Sequence, residues 1–234
     1  MRMADPTVRN QIQFHRKLNP KLWRGDLLRP EVRLKLFQSA LAFYQFLNIP
    51  KLVVQDFILT GSNAAYNYTT HSDIDVHLLV DFSKSSDCPD IMSNFFNTKK
   101  ALWSQTFDLS IRSQTVEMYV QDISDPLKAS GIFSILHNKW LKVPDRTPPA
   151  RDDSAIETKV NALATEIDSL LEGEPSIIDL DQMLQKLFAL RRNGLLVGGE
   201  FSVENLAFKV LRALNYIQKL YDKRIEIKDR TLSL

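Results

Sequence analysis

Apolar positions change period twice along the chain. Between Pro30 and Pro50, Val32, Leu34, Leu36, Phe37, Leu41, Phe43, Tyr44 and Leu47 recur at helical spacing. Pro30 and Glu31 open that helix and Pro50 stops it, while Leu18 to Asp26 ahead of it reads as a loop or short turn holding Trp23. From residue 51 the period shortens. Val53 to Thr60 is a run of apolar and β-branched residues and predicts a strand, broken by Gly61-Ser62. Ala64 to Tyr68 predicts a short helix, and Ile74 to Asp81 a second strand. Ile91 to Trp103 returns to helical spacing. Phe107 to Arg112 and Thr115 to Gln121 then predict a hairpin turning at Ser113-Gln114. Ile132 to Leu136 and Trp140 to Val143 predict another pair, joined by His137-Asn138-Lys139.

Pro144, Pro148 and Pro149 interrupt all periodicity and mark a linker over 144–152. Beyond it lie three helical patterns: Ser154 to Glu172, Ile177 to Arg192 ended by Asn193-Gly194, and Val203 to Tyr221 after the cap Ser202. Residues 223–234 are polar and are expected to fray or add a short strand. The expected organisation is a helical segment over 1–50, a mixed α/β domain over 51–143, the linker, and a helical bundle over 153–234. The fold class is α/β (α+β).

Composition narrows the class without naming it. The 234 residues are 44% hydrophobic and 25% charged, the balance of a globular chain, which excludes a disordered chain, a collagen-like fibre and a coiled-coil rod. Cys88 is the one cysteine, so there is no internal disulfide, and a reducing compartment is expected. No apolar run approaches the roughly 18 residues of a spanning helix, and none follows Arg2 and Asp5 as in a signal peptide. A soluble, cytoplasmic protein of a bacterium or a phage-infected host cell is the expectation. The net charge of +2 hides an asymmetry: the first 50 residues carry nine Lys or Arg against three Asp or Glu. That basic segment could meet phosphate; a solvated helical face is the plainer reading.

The chemistry concentrates in Leu59-Thr60-Gly61-Ser62, then, after ten residues, Asp73-Ile74-Asp75-Val76. Strand side chains alternate faces, so Asp73 and Asp75 project together while Ile74, Val76 and Leu78 point into the core. Two carboxylates so close repel unless a cation lies between them, and hard oxygen ligands suit Mg²⁺. Gly61-Ser62 at a strand end can turn backbone N–H groups toward an anion, the Ser62 hydroxyl can donate to a phosphate oxygen, and a helix starting at Asn63 would add its dipole. Transfer of a phosphoryl or nucleotidyl group with two metals needs one more ligand or base. Glu117, between Val116 and Met118, is the preferred third carboxylate; Asp108, between Phe107 and Leu109, has the same local pattern, and Asp122 is a weaker option.

Together, Gly61-Ser62, the ten-residue gap, Asp73-Ile74-Asp75-Val76 and the later apolar–acid–apolar strand at Glu117 resemble the DNA polymerase beta-like nucleotidyltransferase superfamily. The resemblance covers about residues 52–121. The stretch from Val116 to Trp140, with Gly131-Ile132-Phe133-Ser134 and Asn138-Lys139-Trp140, is similar to small nucleotidyltransferases of bacteria and their phages. It implies a mixed-sheet palm, two Mg²⁺ ions and a nucleoside triphosphate, with ATP the expected donor. It implies transfer of a nucleoside monophosphate to a hydroxyl of RNA, protein or a small molecule, with release of pyrophosphate. Asp73, Asp75 and Glu117 would then be the catalytic, metal-binding carboxylates, and Gly61 and Ser62 would hold the β- and γ-phosphates. The antitoxin-type members carry Arg and Gly soon after Gly-Ser; here Asn63-Ala64-Ala65-Tyr66 follows, which argues against that subgroup. The alternatives are a non-catalytic nucleotide- or partner-binding module, as in a toxin–antitoxin or defence system, and a glycosyltransferase, which also uses Asp-x-Asp but needs a larger fold.

Other residues carry a functional and a structural reading side by side. Ser72 could orient Asp73 or, with His71, simply form a turn. His77 shares the face of Asp73 and Asp75, where it could touch substrate or be a satisfied sheet histidine. Tyr66 and Tyr68 could stack a base or pack locally. Lys128, Lys139 and Lys142 could reach a triphosphate or lie exposed. Arg191-Arg192 at a helix end suits the helix dipole. Trp23, Trp103 and Trp140 read as core or groove lining.

Overall fold

In a computed structural model, the described residues are 13–50, 52–70, 72–84, 89–125, 129–148 and 150–232. Arg2, Asp5, His71, Cys88 and Lys128, singled out above, lie outside them. The chain divides into two compact units, with Phe14–Pro148 in one and Pro149–Leu234 in the other. No helix among the described residues is long and apolar enough to cross a membrane.

The first unit is built on a six-stranded mixed sheet. Its strands are β3 (Val54–Thr60), β4 (Ile74–Val80), β5 (Ser110–Ile111), β6 (Gln114–Asp122), β7 (Ile132–Ser134) and β8 (Lys139–Lys142). They lie in the order β5-β6-β4-β3-β7-β8. Only β4 and β6 pair in parallel, with Asp75 opposite Glu117 and His77 opposite Tyr119; β3 runs antiparallel to β4, with Thr60 opposite Asp75. The alternation in β4 explains its seat: Ile74, Val76 and Leu78 are buried on one face, while Asp73, Asp75 and His77 are half-buried on the other. A fully buried aliphatic side chain contributes roughly 1.5–3 kcal/mol, so a one-residue slip that turned these three outward would cost several.

Two helices cover the apolar face. In α1 (Pro30–Leu47), Val32, Leu36, Ala40, Phe43 and Leu47 form the buried stripe; Pro30 opens it, and Asn48 closes it in the left-handed region. In α2 (Pro89–Thr106), Phe96 and Trp103 enter the same core as Val116 and Met118. Within and just beyond the stretch Leu18 to Asp26, read above as a loop or short turn, β1 (Trp23–Arg24) pairs with β2 (Leu27–Leu28) in a small two-stranded ribbon. The hairpin turns at Arg112-Ser113, one residue earlier than the sequence predicts. Both take positive φ, 52° and 63°, matching the twist of the strands they join. Gln114 thereby becomes a buried strand residue.

The second unit is a helical bundle of α3 (Asp153–Glu172), α4 (Ile177–Gly198), α5 (Val203–Ala213) and α6 (Tyr216–Leu232). Asp152, Ser176 and Ser202 cap the first three by accepting backbone N–H bonds. Ile156, Val160, Leu163, Ile167, Leu187 and Leu211 are among its core residues. Four expectations are corrected here. Asn193-Gly194 does not end α4, because Gly194 is buried mid-helix where a Cβ would stand 2.6 Å from the Glu204 Cβ. Arg191 is therefore not at a helix end; its guanidinium lies 5.0 Å over the Phe208 ring. The third pattern is two helices, broken where Asn215 takes φ 63°, and the second continues through residues expected to fray.

Candidate functional site

The site is the polar face of the sheet where β3 ends and β4 and β6 begin. Asp73, one residue ahead of β4, and Asp75, its second residue, share that face with Glu117 of β6. All three are half-buried. Asp108 lies exposed outside the strands, and Asp122 is an even-numbered residue at the far end of β6, on the register of Val116 and Met118. Neither joins the face that carries Glu117.

Gly61 leaves β3 with φ 74° and ψ −164°, a conformation essentially confined to glycine. A Cβ there would stand 2.0 Å from Oδ2 of Asp75, so the Gly-Ser turn and the carboxylate are in direct contact. Ser62 lies on the turn, but its Oγ donates to Ser72 Oγ at 2.8 Å. The helix expected over Ala64 to Tyr68 is absent; Ser62–Ala64 form a single 3₁₀ turn. Such a turn supplies backbone N–H groups and no helix dipole of consequence. Tyr66 is buried and its hydroxyl accepts from Arg146 Nε at 3.0 Å. Tyr68 stacks on His15, with ring centroids 3.9 Å apart, and burial raises its phenol above the ordinary value.

A buried amide network, which sequence reasoning missed, holds the turn to the start of β4. Asn63 Nδ2 donates to the carbonyls of Ser72 at 3.2 Å and Asp73 at 2.8 Å. Its Oδ1 accepts from Asn19 Nδ2 at 2.8 Å, and Asn19 also donates to Gln114 Oε1 at 2.9 Å. Trp23 Nε1 donates to the Asn63 carbonyl at 2.7 Å. Asn63 is fully buried, so each bond replaces water that the group has lost, and losing a partner leaves a polar atom costing about 1–3 kcal/mol. Ser72 forms a turn: its Oγ accepts from the Thr69 amide at 2.8 Å.

Beyond the carboxylates the same face carries His77, Tyr119 and Gln121. The rings of His77 and Tyr119 stack at 4.6 Å, and His77 Nδ1 meets Gln121 Oε1 at 2.7 Å. Burial holds the His77 pKa below its ordinary value; Lys100 adds to that and the Gln121 bond opposes it. The Tyr119 phenol is pushed far above its ordinary value, first by burial, then by the charge of Asp75 and its bond to Glu117, with further contributions from the charges of Glu117 and Asp73. It stays protonated and donates to Glu117 Oε2. Lys100, from α2, completes the group: its Nζ is 3.0 Å from Glu117 Oε2 and 3.4 Å from the Tyr119 ring centroid. No sequence signal pointed to Lys100, because its place depends on how α2 lies against β6. Of the other lysines, Lys142 donates to the Ala129 carbonyl at 2.7 Å and Lys139 is exposed.

Among the described residues, no group of three or more His, Cys, Asp or Glu side chains is set to hold a metal ion as the side chains stand. The donor chemistry fits a hard divalent cation at Asp73 and Asp75, whose carboxylates share one face. Glu117 offers the same chemistry from the adjacent strand, with its carboxylate engaged by Lys100 and Tyr119.

No family model matches the chain, and no curated protein matches it. Among solved structures, a STING-associated CdnE c-di-GMP synthase from Capnocytophaga granulosa is similar at 11% identity, covering 86% of this chain and 84% of its own, with a TM-score of 0.26.

Proposed function

We propose that the first unit is a nucleotidyltransferase palm that binds a nucleoside triphosphate and transfers its nucleoside monophosphate to a hydroxyl. One observation carries the reading: the glycine turn ending β3 rests against Asp75, and Asp75 stands opposite Glu117 in the β4–β6 ladder. A turn able to bind an anion and carboxylates able to bind a cation would thus meet at one end of the central strands. Asp73 and Asp75 would hold Mg²⁺, with Glu117 completing the set. Bound there, the cation would offset triphosphate charge and lower the pKa of the acceptor hydroxyl. The backbone N–H groups of the Gly61-Ser62 turn take the β- and γ-phosphate oxygens. The acceptor oxygen forms a bond to the α-phosphorus, the α–β bridging bond breaks, and pyrophosphate leaves. Glu117 would receive the acceptor proton. ATP is the donor to test first.

The test incubates purified protein with Mg²⁺ and each α-³²P-labelled NTP, together with RNA, protein and small-molecule acceptors, beside Asp73→Ala/Asp75→Ala. Label transferred by the wild type alone identifies donor and acceptor class together. The Lys100–Glu117 ion pair favours a second reading, a palm that binds nucleotide without turning it over. Absence of label from every acceptor, with nucleotide still bound by the double variant, would select that reading and discard the metal-dependent one.

A further inference from the structure

Three carboxylates on one sheet face pose an electrostatic problem before any cation arrives. Asp75 and Glu117 are direct partners in the parallel ladder, and like charges directly opposite are destabilising. One counter-charge comes from α2. Helix α2 packs Phe96 and Trp103 into the apolar core, yet Lys100 reaches Glu117 Oε2 at 3.0 Å. The same ammonium lies 3.4 Å from the Tyr119 ring centroid, where the electron-rich face attracts it independently of the carboxylate. Tyr119 spans both partners, since its hydroxyl donates to the oxygen that Lys100 touches.

We propose that Lys100 is a positioning residue for the third carboxylate: its ammonium holds Glu117 in place of a divalent cation and is displaced when that cation binds. The proposal rests on the reading of Asp73, Asp75 and Glu117 as a cation-binding set. Loading is then an exchange of one cation for another. Glu117 gives up a half-buried ion pair, while Lys100 keeps its position over the Tyr119 ring and stays near the site. The ion pair thus sets the cation concentration at which the third ligand becomes available. It also keeps the carboxylate face compensated in the empty protein.

The test is Mn²⁺ binding to the full chain without nucleotide, followed by the electron paramagnetic resonance signal of free Mn²⁺. Lys100→Met keeps the aliphatic stem and removes the charge. It is expected to bind Mn²⁺ at least about tenfold tighter, the least that removing one unit charge a few ångströms away gives under the full screening of water. Lys100→Arg restores the charge and should return the affinity to within about twofold of wild type. In a Glu117→Gln background the gain from Lys100→Met should largely vanish. Lys100→Gln repeats the measurement if Lys100→Met melts below wild type. Wild-type or weaker binding by folded Lys100→Met, with Asp75→Asn still losing Mn²⁺, would overturn the role of Lys100 alone. Mn²⁺ binding unaffected by Asp75→Asn, or no binding by the wild type, would overturn that role and the cation-site reading together.

Discussion

At the scale of single residues, the site depends on one position without a side chain. Gly61 combines a backbone conformation that other residues rarely adopt with contact against the Asp75 carboxylate. Gly61→Ala is therefore strained twice. The backbone term alone costs about 1–3 kcal/mol, and the methyl group must push Oδ2 of Asp75 aside. The expected outcome is a lower denaturation midpoint together with weaker Mn²⁺ binding. A variant that loses stability but binds Mn²⁺ as wild type would separate the turn from the cation site. Asp75 and Glu117 fall on the shared face that strand alternation assigns them, with Asp73 one residue ahead of β4, and Gly61-Ser62 falls at the break that ends Val54–Thr60. Lys100, Tyr119 as its ring partner, and the Asn19–Asn63–Gln114 network were not legible in the sequence. Each is a contact between segments far apart in the chain, and no local period encodes it.

At the scale of elements, strands were easier to read than breaks. The four long segments Val54–Thr60, Ile74–Val80, Pro30–Leu47 and Asp153–Glu172 follow their apolar patterns closely, since burial of one face selects one period. Errors gather where a glycine or asparagine has two possible uses. Gly194 looks like a stop but is a close-packing position beneath the start of α5, with Ser202 Oγ at 2.7 Å and the Asn205 amide nitrogen at 3.1 Å from the site of a Cβ. Asn215, with no such appearance, is the real break. This reverses the usual sign of a helical substitution. Gly→Ala in an exposed helix interior stabilises by roughly 1 kcal/mol, whereas Gly194→Ala should destabilise through overpacking by about 1–3 kcal/mol. A thermal melt followed at 222 nm decides it, and a raised midpoint would refute the packing argument.

At the scale of the whole molecule, two separate hydrophobic cores form on either side of the proline-rich stretch. The division falls at Pro148, where repeated prolines deny the chain both helix and ladder hydrogen bonds. Limited trypsin digestion should therefore cut first after Arg146 or Arg151 and leave two resistant fragments, read by intact mass. First cuts within Val54–Asp122 would count against two independently closed cores. The basic character of the first 50 residues is partly absorbed by structure. Arg33 donates to the carbonyls of Ile135 and Leu136, and Arg29 to that of Pro20.

The sequence by itself determined the α/β fold class, the strands over Val54–Thr60 and Ile74–Val80 with the Gly61-Ser62 break between them, and that Asp73 and Asp75 share one face. Those properties follow from periodicity, which depends only on neighbours a few positions away. Tertiary structure alone decided that Asp75 meets Glu117 across a parallel ladder, that Asn63 anchors the glycine turn, and that Lys100 reaches Glu117. Such pairings depend on register and packing between distant segments, where the free energy is shared among many contacts and no single residue carries the signal.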